Sequence, residues 1–555
     1  MTNDSMDALR GFHRERIASL LRRQQQHLGV LQSETSLPFI ATDSSNRGIL
    51  ADETVATRFQ QIPELVLMVL EHIPLSHLPQ ISLVSKLWSI LAQPLLWRNI
   101  HLEDTYQVGL MTPYLTTHGL WIQSLDFRDF EFRATGFYDS DPSIGSMRSN
   151  LYTIDLASIL PHTPRLQSID VRDCDMDQHP LNILSSYPQL ESIAFTQYPH
   201  HILDNIHEGT ADIFTAWPHL KRLRISATSE KEITYALRAL ENAFRGSKSQ
   251  HLEIIELDNF PHWLHSTFTF LVANSADHIV QLSLTNCRIF LTEFENAISG
   301  SSQLESLGLH DVSNSPHHLK RILEKHPRLR HLSLTGWMDL FLDKTTLLAH
   351  TCSQSLVSLD LVDCEMPADA AGQFLIQCLH LRKFRLEPLE GPAVMNLFLG
   401  ESWKCLGLEE IWLDRIEYQP DEFSTTDARD GAIRAMWRQL AALTRMQVLF
   451  LKFELPNSSK VLHRKNLKTN MILDEIIPDD GRYRLEALTR LKRLGVVGYK
   501  IWEFMDVAWL AQSFPRLERF WYDRSELDVP QWSWLRKDRP DVALVPYQKV
   551  RSESY

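Results

Sequence analysis

Nowhere in its 555 residues does this chain carry an apolar run long enough to cross a bilayer, for which about 20 consecutive residues are needed. It does not begin like a secretory leader either: Asp4 and Asp7 stand near the start and no apolar core follows them. The expectation is an intracellular protein, in the cytoplasm and/or nucleus, with the sequons at Asn3 and Asn457 as chance matches. Basic excess is also lacking. The net charge is −13, which argues against nucleic acid as the main partner, because phosphate neutralisation needs clustered Lys and Arg. The six cysteines include no C-x-x-C pair, so zinc and dithiol spacings are absent. There is no phosphate-binding G-x-x-x-x-G-K loop, no G-x-S-x-G elbow and no H-E-x-x-H helix. His207-Glu208 lacks the second histidine. His200-His201 and His317-His318 are adjacent pairs, whose rings point apart on a helix or strand. Neither catalysis nor a metal, a cofactor or a membrane association is expected.

What the chain does have is one short phrase, repeated: apolar, two residues, apolar, one residue, apolar. Leu304-Glu305-Ser306-Leu307-Gly308-Leu309 and Leu329-Arg330-His331-Leu332-Ser333-Leu334 are neighbouring copies, 25 residues apart. Fourteen copies begin at Ile122, Leu166, Leu190, Leu220, Leu252, Ile279, Leu304, Leu329, Leu356, Leu381, Leu408, Met446, Leu491 and Leu517. From Ile279 to Leu408 the steps are 25, 25, 27, 25 and 27 residues. Phrase and period are the signature of a leucine-rich repeat, each unit adding one strand to a solenoid. The expected fold is therefore α/β, a curved parallel sheet with outer helices. Such arrays present long concave surfaces to other macromolecules. Cys174, Cys287 and Cys364 each fall eight residues after a phrase begins, in the slot where a small buried side chain fits as the chain leaves its strand. Longer steps of 44, 38 and 45 residues follow Ile122, Leu408 and Met446. They predict inserts near 128–150, 419–430 and 455–485.

Strand alternation sends the residue between the last two apolar positions to the concave face. In the first part of the array these residues are Asp170, Ala194, Arg224, Glu256, Ser283, Gly308, Ser333 and Asp360. Later they are Arg385, Trp412, Phe450, Gly495 and Trp521. Aromatics beside cations have the composition of binding hot spots. Arg385, Trp412, Phe450, Lys452 and Trp521 are thus the candidate contacts for a target protein, with Arg222 and Arg224 next in line. A second reading stays open: the long inserts fold back over the aromatics and make a second core.

The N-terminal part is different. Residues 8–31 have helical spacing and five arginines, and residues 33–57 read as a polar linker. In residues 58–104, Pro63 suits the first turn of a helix running to about Ile73. Ser76 is a plausible N-cap. Leu78, Ile81, Val84 and Trp88 recur as on one helix face, and Pro94 starts a third short helix. The order Ile62-Pro63-Glu64-Leu65, Leu83-Val84-Ser85-Lys86-Leu87-Trp88 and Leu95-Leu96-Trp97 resembles an F-box. Ile62 departs from the more usual leucine and Ser85 from the common cysteine. The resemblance implies docking to a Skp-type adaptor, and through it to a cullin–RING ligase, by residues among Ile62, Pro63, Leu65, Leu83, Val84, Trp88, Leu96 and Trp97. A helical cap on the solenoid is the other reading of this segment. The division expected is 1–57 helix and linker, 58–104 F-box, 105–545 solenoid and 546–555 tail. The chain then reads as a ligase substrate receptor without chemistry of its own, or as a leucine-rich scaffold without a ligase.

Overall fold

The computed structural model describes residues 62–103, 105–127, 156–171, 184, 186–197, 217–227, 252–258, 265–287, 291–312, 316–337, 354–390, 396–399, 401–417, 426–454, 487–497, 512–522 and 530–546. The arginine-rich segment 8–31, the linker 33–57, the inserts 128–150 and 455–485 and the first part of the insert 419–430 lie outside them. The chain divides into two compact units, 1–92 and 93–555.

Among the described residues, the first unit is helical. Its first helix, Pro63–Glu71, carries proline in the first turn, where the missing N–H costs nothing. Val66 and Leu70, one turn apart, are its buried face. Ser76 does not cap the next helix; it lies inside a 3-10 turn, Leu75–His77, that leads into a short helix, Leu78–Ile81. The expected continuous face from Leu78 to Trp88 is broken because Ser85 caps a new helix, its hydroxyl accepting the Trp88 N–H at 3.3 Å. That helix, Lys86–Arg98, passes through Pro94 instead of starting there.

The second unit is built on one sheet of sixteen parallel strands, hydrogen-bonded strictly in sequence order. All fourteen phrases form strands, each beginning two residues after its first apolar position, as in Gln281–Thr285, Ser306–His310 and His331–Thr335. The fold is thus a leucine-rich-repeat array. The apolar positions of the phrases, wherever their side chains are described, face a continuous core that runs from Leu102 to Val542. Helices bring Phe268, Phe294, Leu319, Phe374, Trp437 and Trp532 to the same core. Each such burial is worth about 1.5–3 kcal/mol, and no single repeat could gather enough of it alone.

Two strands were not expected. The first, Asn99–His101, follows Trp97 by two residues, and Trp97-x-x-Ile100-x-Leu102 is a copy of the phrase with an aromatic lead. Trp97 precedes Ile122 by the usual 25 residues. The last, Ala543–Pro546, has Asp541 where an apolar lead would stand. Terminal repeats depart from the pattern because one side lacks a neighbour. Pro546 also removes one donor from this outermost strand, a common way of blunting an edge.

The exit from the strands follows a rule as well. The described non-glycine residues with positive φ are Asn286, Asp311 and Asp363, at 49°, 51° and 49°. With Gly336 at 72° they all occupy one slot, seven residues after a phrase begins. Asn, Asp and Gly are the residues that tolerate this left-handed conformation. The residues that follow them, Cys287, Val312, Trp337 and Cys364, turn back into the core. Cys287 and Cys364 there donate to the carbonyls of Thr285 and Val362 at 3.0 and 3.3 Å.

A Cβ on Gly336 would strike the Asp311 carboxylate. Gly336→Ala is therefore expected to lower stability by about 1 kcal/mol or more. Asp363→Gly, at an equivalent slot, should change it far less. Thermal unfolding of the two variants checks this, and equal losses would defeat the assignment of the slot.

Candidate functional site

In the first unit, burial of Val66, Leu70, Leu78 and Ala92 leaves much apolar surface over. Ile62, Met68, Val69, Leu75, Leu83, Val84 and Ile90 are all exposed, Leu83 by 71% and Val84 by 61%. Of the residues the F-box resemblance implicates, Ile62, Pro63, Leu83 and Val84 are exposed. Leu65 and Trp88 are half-buried. Leu96 and Trp97 belong to the second unit, and both are half-buried there. Trp97 packs on the core of the array, 4.8 Å from His118 and 6.3 Å from Tyr114, ring centre to ring centre.

On the open face of the sheet, pairing places Arg385, Trp412, Phe450, Gly495, Trp521 and Val545 in one row across six strands. The expected residues do come together. Their expected exposure is wrong: Trp412, Phe450 and Trp521 retain 8%, 0% and 3%. Register brings the rings into contact. Trp412 stacks on Phe450 at 4.0 Å, and Trp521 meets both edge-on at 5.3 and 5.7 Å. Gly495 makes this possible, since a side chain there would collide with the Phe450 ring and crowd Trp521. Val497 completes a second core, with Val448 and Val545 against it.

The two cations of the set are engaged too. Arg385 lies 5.5 Å over the Trp412 ring, and 3.7 and 3.8 Å from Asp360 and Glu387. Lys452 reaches Asp414 at 3.2 Å. Burial raises the Asp360 carboxyl above its ordinary range; Arg385 offsets part of this, while Glu410 and Glu387 add to the rise. Farther toward the N-terminus the same face is polar and open. Arg224 pairs with Glu256 at 2.9 Å, and Ser226 donates to Asp258 at 3.0 Å. Arg222, Asp170 and Ser124 line a shallow depression beside them.

Cysteine chemistry fits the structural role expected from spacing. Cys287, Cys364, Cys378 and Cys405 are buried free thiols. Burial pushes Cys364 and Cys405 up to about 12, leaving almost no thiolate to attack a substrate or bind a metal. Cys174 and Cys352 lie outside the described residues, as do His200, His201 and His207. His318 bonds Glu295 at 3.0 Å.

No protein-family model matches the chain, and no curated protein matches it. Solved structures with a similar arrangement include the Rad7–Elc1 complex of yeast, at 14% identity and TM-score 0.40, covering 93% of this chain and 100% of that one. An internalin from Listeria monocytogenes aligns at 12% identity and TM-score 0.33, over 65% of this chain and 88% of its own. TLR13 in its complex with ssRNA13 aligns at 14% and 0.29, over 78% of this chain and 66% of that one. Likeness at this level decides nothing about function; the repeats and their register carry the fold by themselves.

Because the aromatic row is a core, Phe450→Ala and Trp521→Ala should each destabilise the array by roughly 3–5 kcal/mol. Calorimetry should show a lowered melting temperature for both. An unchanged melting temperature would mean that the cluster bears no packing load.

Proposed function

We propose that the chain is the substrate-recognition subunit of a Skp–cullin–F-box ubiquitin ligase. The first unit docks the Skp-type adaptor, and the repeat array holds a target protein. The protein performs no chemistry itself and needs no cofactor. It works in the cytoplasm and/or nucleus by raising the local concentration of target beside the activated ubiquitin. The observation that carries this reading is the density of exposed apolar side chains between Ile62 and Ile90, seven within 29 residues. A surface of that kind calls for a partner. The Pro63-led helix and the Leu83–Trp88 motif add the resemblance to an F-box. A leucine-rich scaffold that binds a protein without a ligase is the alternative, and adaptor capture separates the two.

Leu83 and Val84 are exposed and hold nothing together, so replacing both tests docking without unfolding the bundle. Leu83→Ala with Val84→Ala should weaken adaptor capture at least about tenfold, the usual cost of losing apolar anchors, while the melting temperature of the array stays put. Co-purification with the Skp-type adaptors of the source organism measures it. Undiminished capture by the variant, or none by the parent, would leave the scaffold reading in possession.

A further inference from the structure

Two slots flank the first apolar residue of every phrase: the position just before it and the position just after. They form one edge of the sheet, where the chain enters its strands. From the phrase at Leu329 to that at Leu517, these slots hold Arg328, Arg330, Arg382, Arg445, Arg490, Lys492 and Arg516 against only Glu409 and Glu518. In the seven earlier phrases, the same slots hold Arg165 and Lys221 against Glu191, Glu253 and Glu305. One edge therefore changes sign along its length, net positive in its later half within a chain of net charge −13.

The later half is continuous. The Val357 N–H donates to Arg330 O, Arg382 to Val357, Glu409 to Arg382, Gln447 to Glu409, Lys492 to Gln447 and Glu518 to Lys492, all at 2.7–2.8 Å. Arg328, Arg330, Arg382 and Arg445 line one open cleft, with Leu379 and Gly407 in its wall. Leu379 and Leu406, beside Gly407, are exposed. Glu409 takes up Arg382 at 3.8 Å and Arg445 at 3.3 Å, Glu305 pairs with Arg330 at 3.7 Å and Glu518 with Lys492 at 3.1 Å. Arg328, Arg490 and Arg516 are exposed, and their side chains make no hydrogen bond or ion pair with a described residue.

We infer that this basic edge binds an extended, carboxylate-rich protein segment with interspersed apolar residues. The inference deepens the target-holding half of the reading above and rests on it. Arginines spaced along an edge present forks to successive carboxylates. Six strand spacings of ~4.8 Å make the basic stretch roughly 29 Å long, which matches about nine residues of extended peptide. Two features favour protein over nucleic acid. In this half the slots carry no Phe, Tyr or Trp on which a base could stack. Leu379 and Leu406 instead offer contacts to apolar side chains.

The test is fluorescence anisotropy of the full chain with a labelled peptide of about twelve Asp, Glu and Leu residues. Arg328→Glu, Arg490→Glu and Arg516→Glu are combined in one variant; Lys221→Glu, on the same edge in the earlier half, is the control. The acidic peptide should bind the parent and the control alike, weaken as salt rises, and bind the triple variant at least about tenfold more weakly. Equal binding of a peptide with Asn and Gln in place of the acids overturns the inference. So does undiminished binding by the triple variant, or preferential binding of a single-stranded oligonucleotide. Adaptor capture is read on the same proteins. Its failure in the parent counts against the ligase assignment alone, and its persistence in the triple variant shows that the edge acts apart from docking.

Discussion

Everything in the array depends on each repeat burying three apolar side chains against its neighbours while handing its backbone hydrogen bonds to the next strand. Neither half suffices alone. Leu307 is out of water with Leu282 and Leu332 flanking it in the adjoining strands, and Leu309 with Leu284 and Leu334. The parallel ladder in turn fixes which residues are neighbours on the other face of the sheet. Position in the repeat thus becomes position in space, and a row of side chains far apart in sequence becomes a surface.

That constraint accounts for the aromatic row and the basic row alike. On the open face it sets Trp412 against Phe450 and leaves Gly495 as the gap through which Trp521 joins them. Large aromatics in adjacent register pack on one another. At the entry edge long cations alternate with polar and acidic residues, and their charged heads stay at the solvent. The same geometry produces packing in one row and an exposed charged strip in the other, according to what occupies the slot.

The phrase legible in the sequence located fourteen strands, because three apolar residues at fixed offsets leave little other solution. It missed the strand after Trp97, since an aromatic lead and the overlap with a helix concealed the copy. The exposure assigned to Trp412, Phe450 and Trp521 failed for a different reason. Alternation within a strand tells which face a side chain takes, but not whether its neighbours across the sheet cover it. That second question needs three adjacent phrases read together, with Gly495 noticed as the absence that lets two rings meet. In the helical unit, Pro63 set the helix start correctly. The role of Ser85 as a cap was hidden because the apolar spacing continues through it from Leu78 to Trp88.

The steps from Leu408 to Met446 and on to Leu491 are 38 and 45 residues, yet Leu413 still pairs with Leu451 and Leu451 with Val496. Spacing along the sequence and spacing across the sheet are therefore decoupled. A lineage can lengthen or trim the excursions between these strands without shifting any side chain of the aromatic row or the basic edge. Length can vary there so long as core-filling side chains such as Trp437 are kept, while a single residue gained or lost inside a phrase would rotate its strand's contribution to the opposite face.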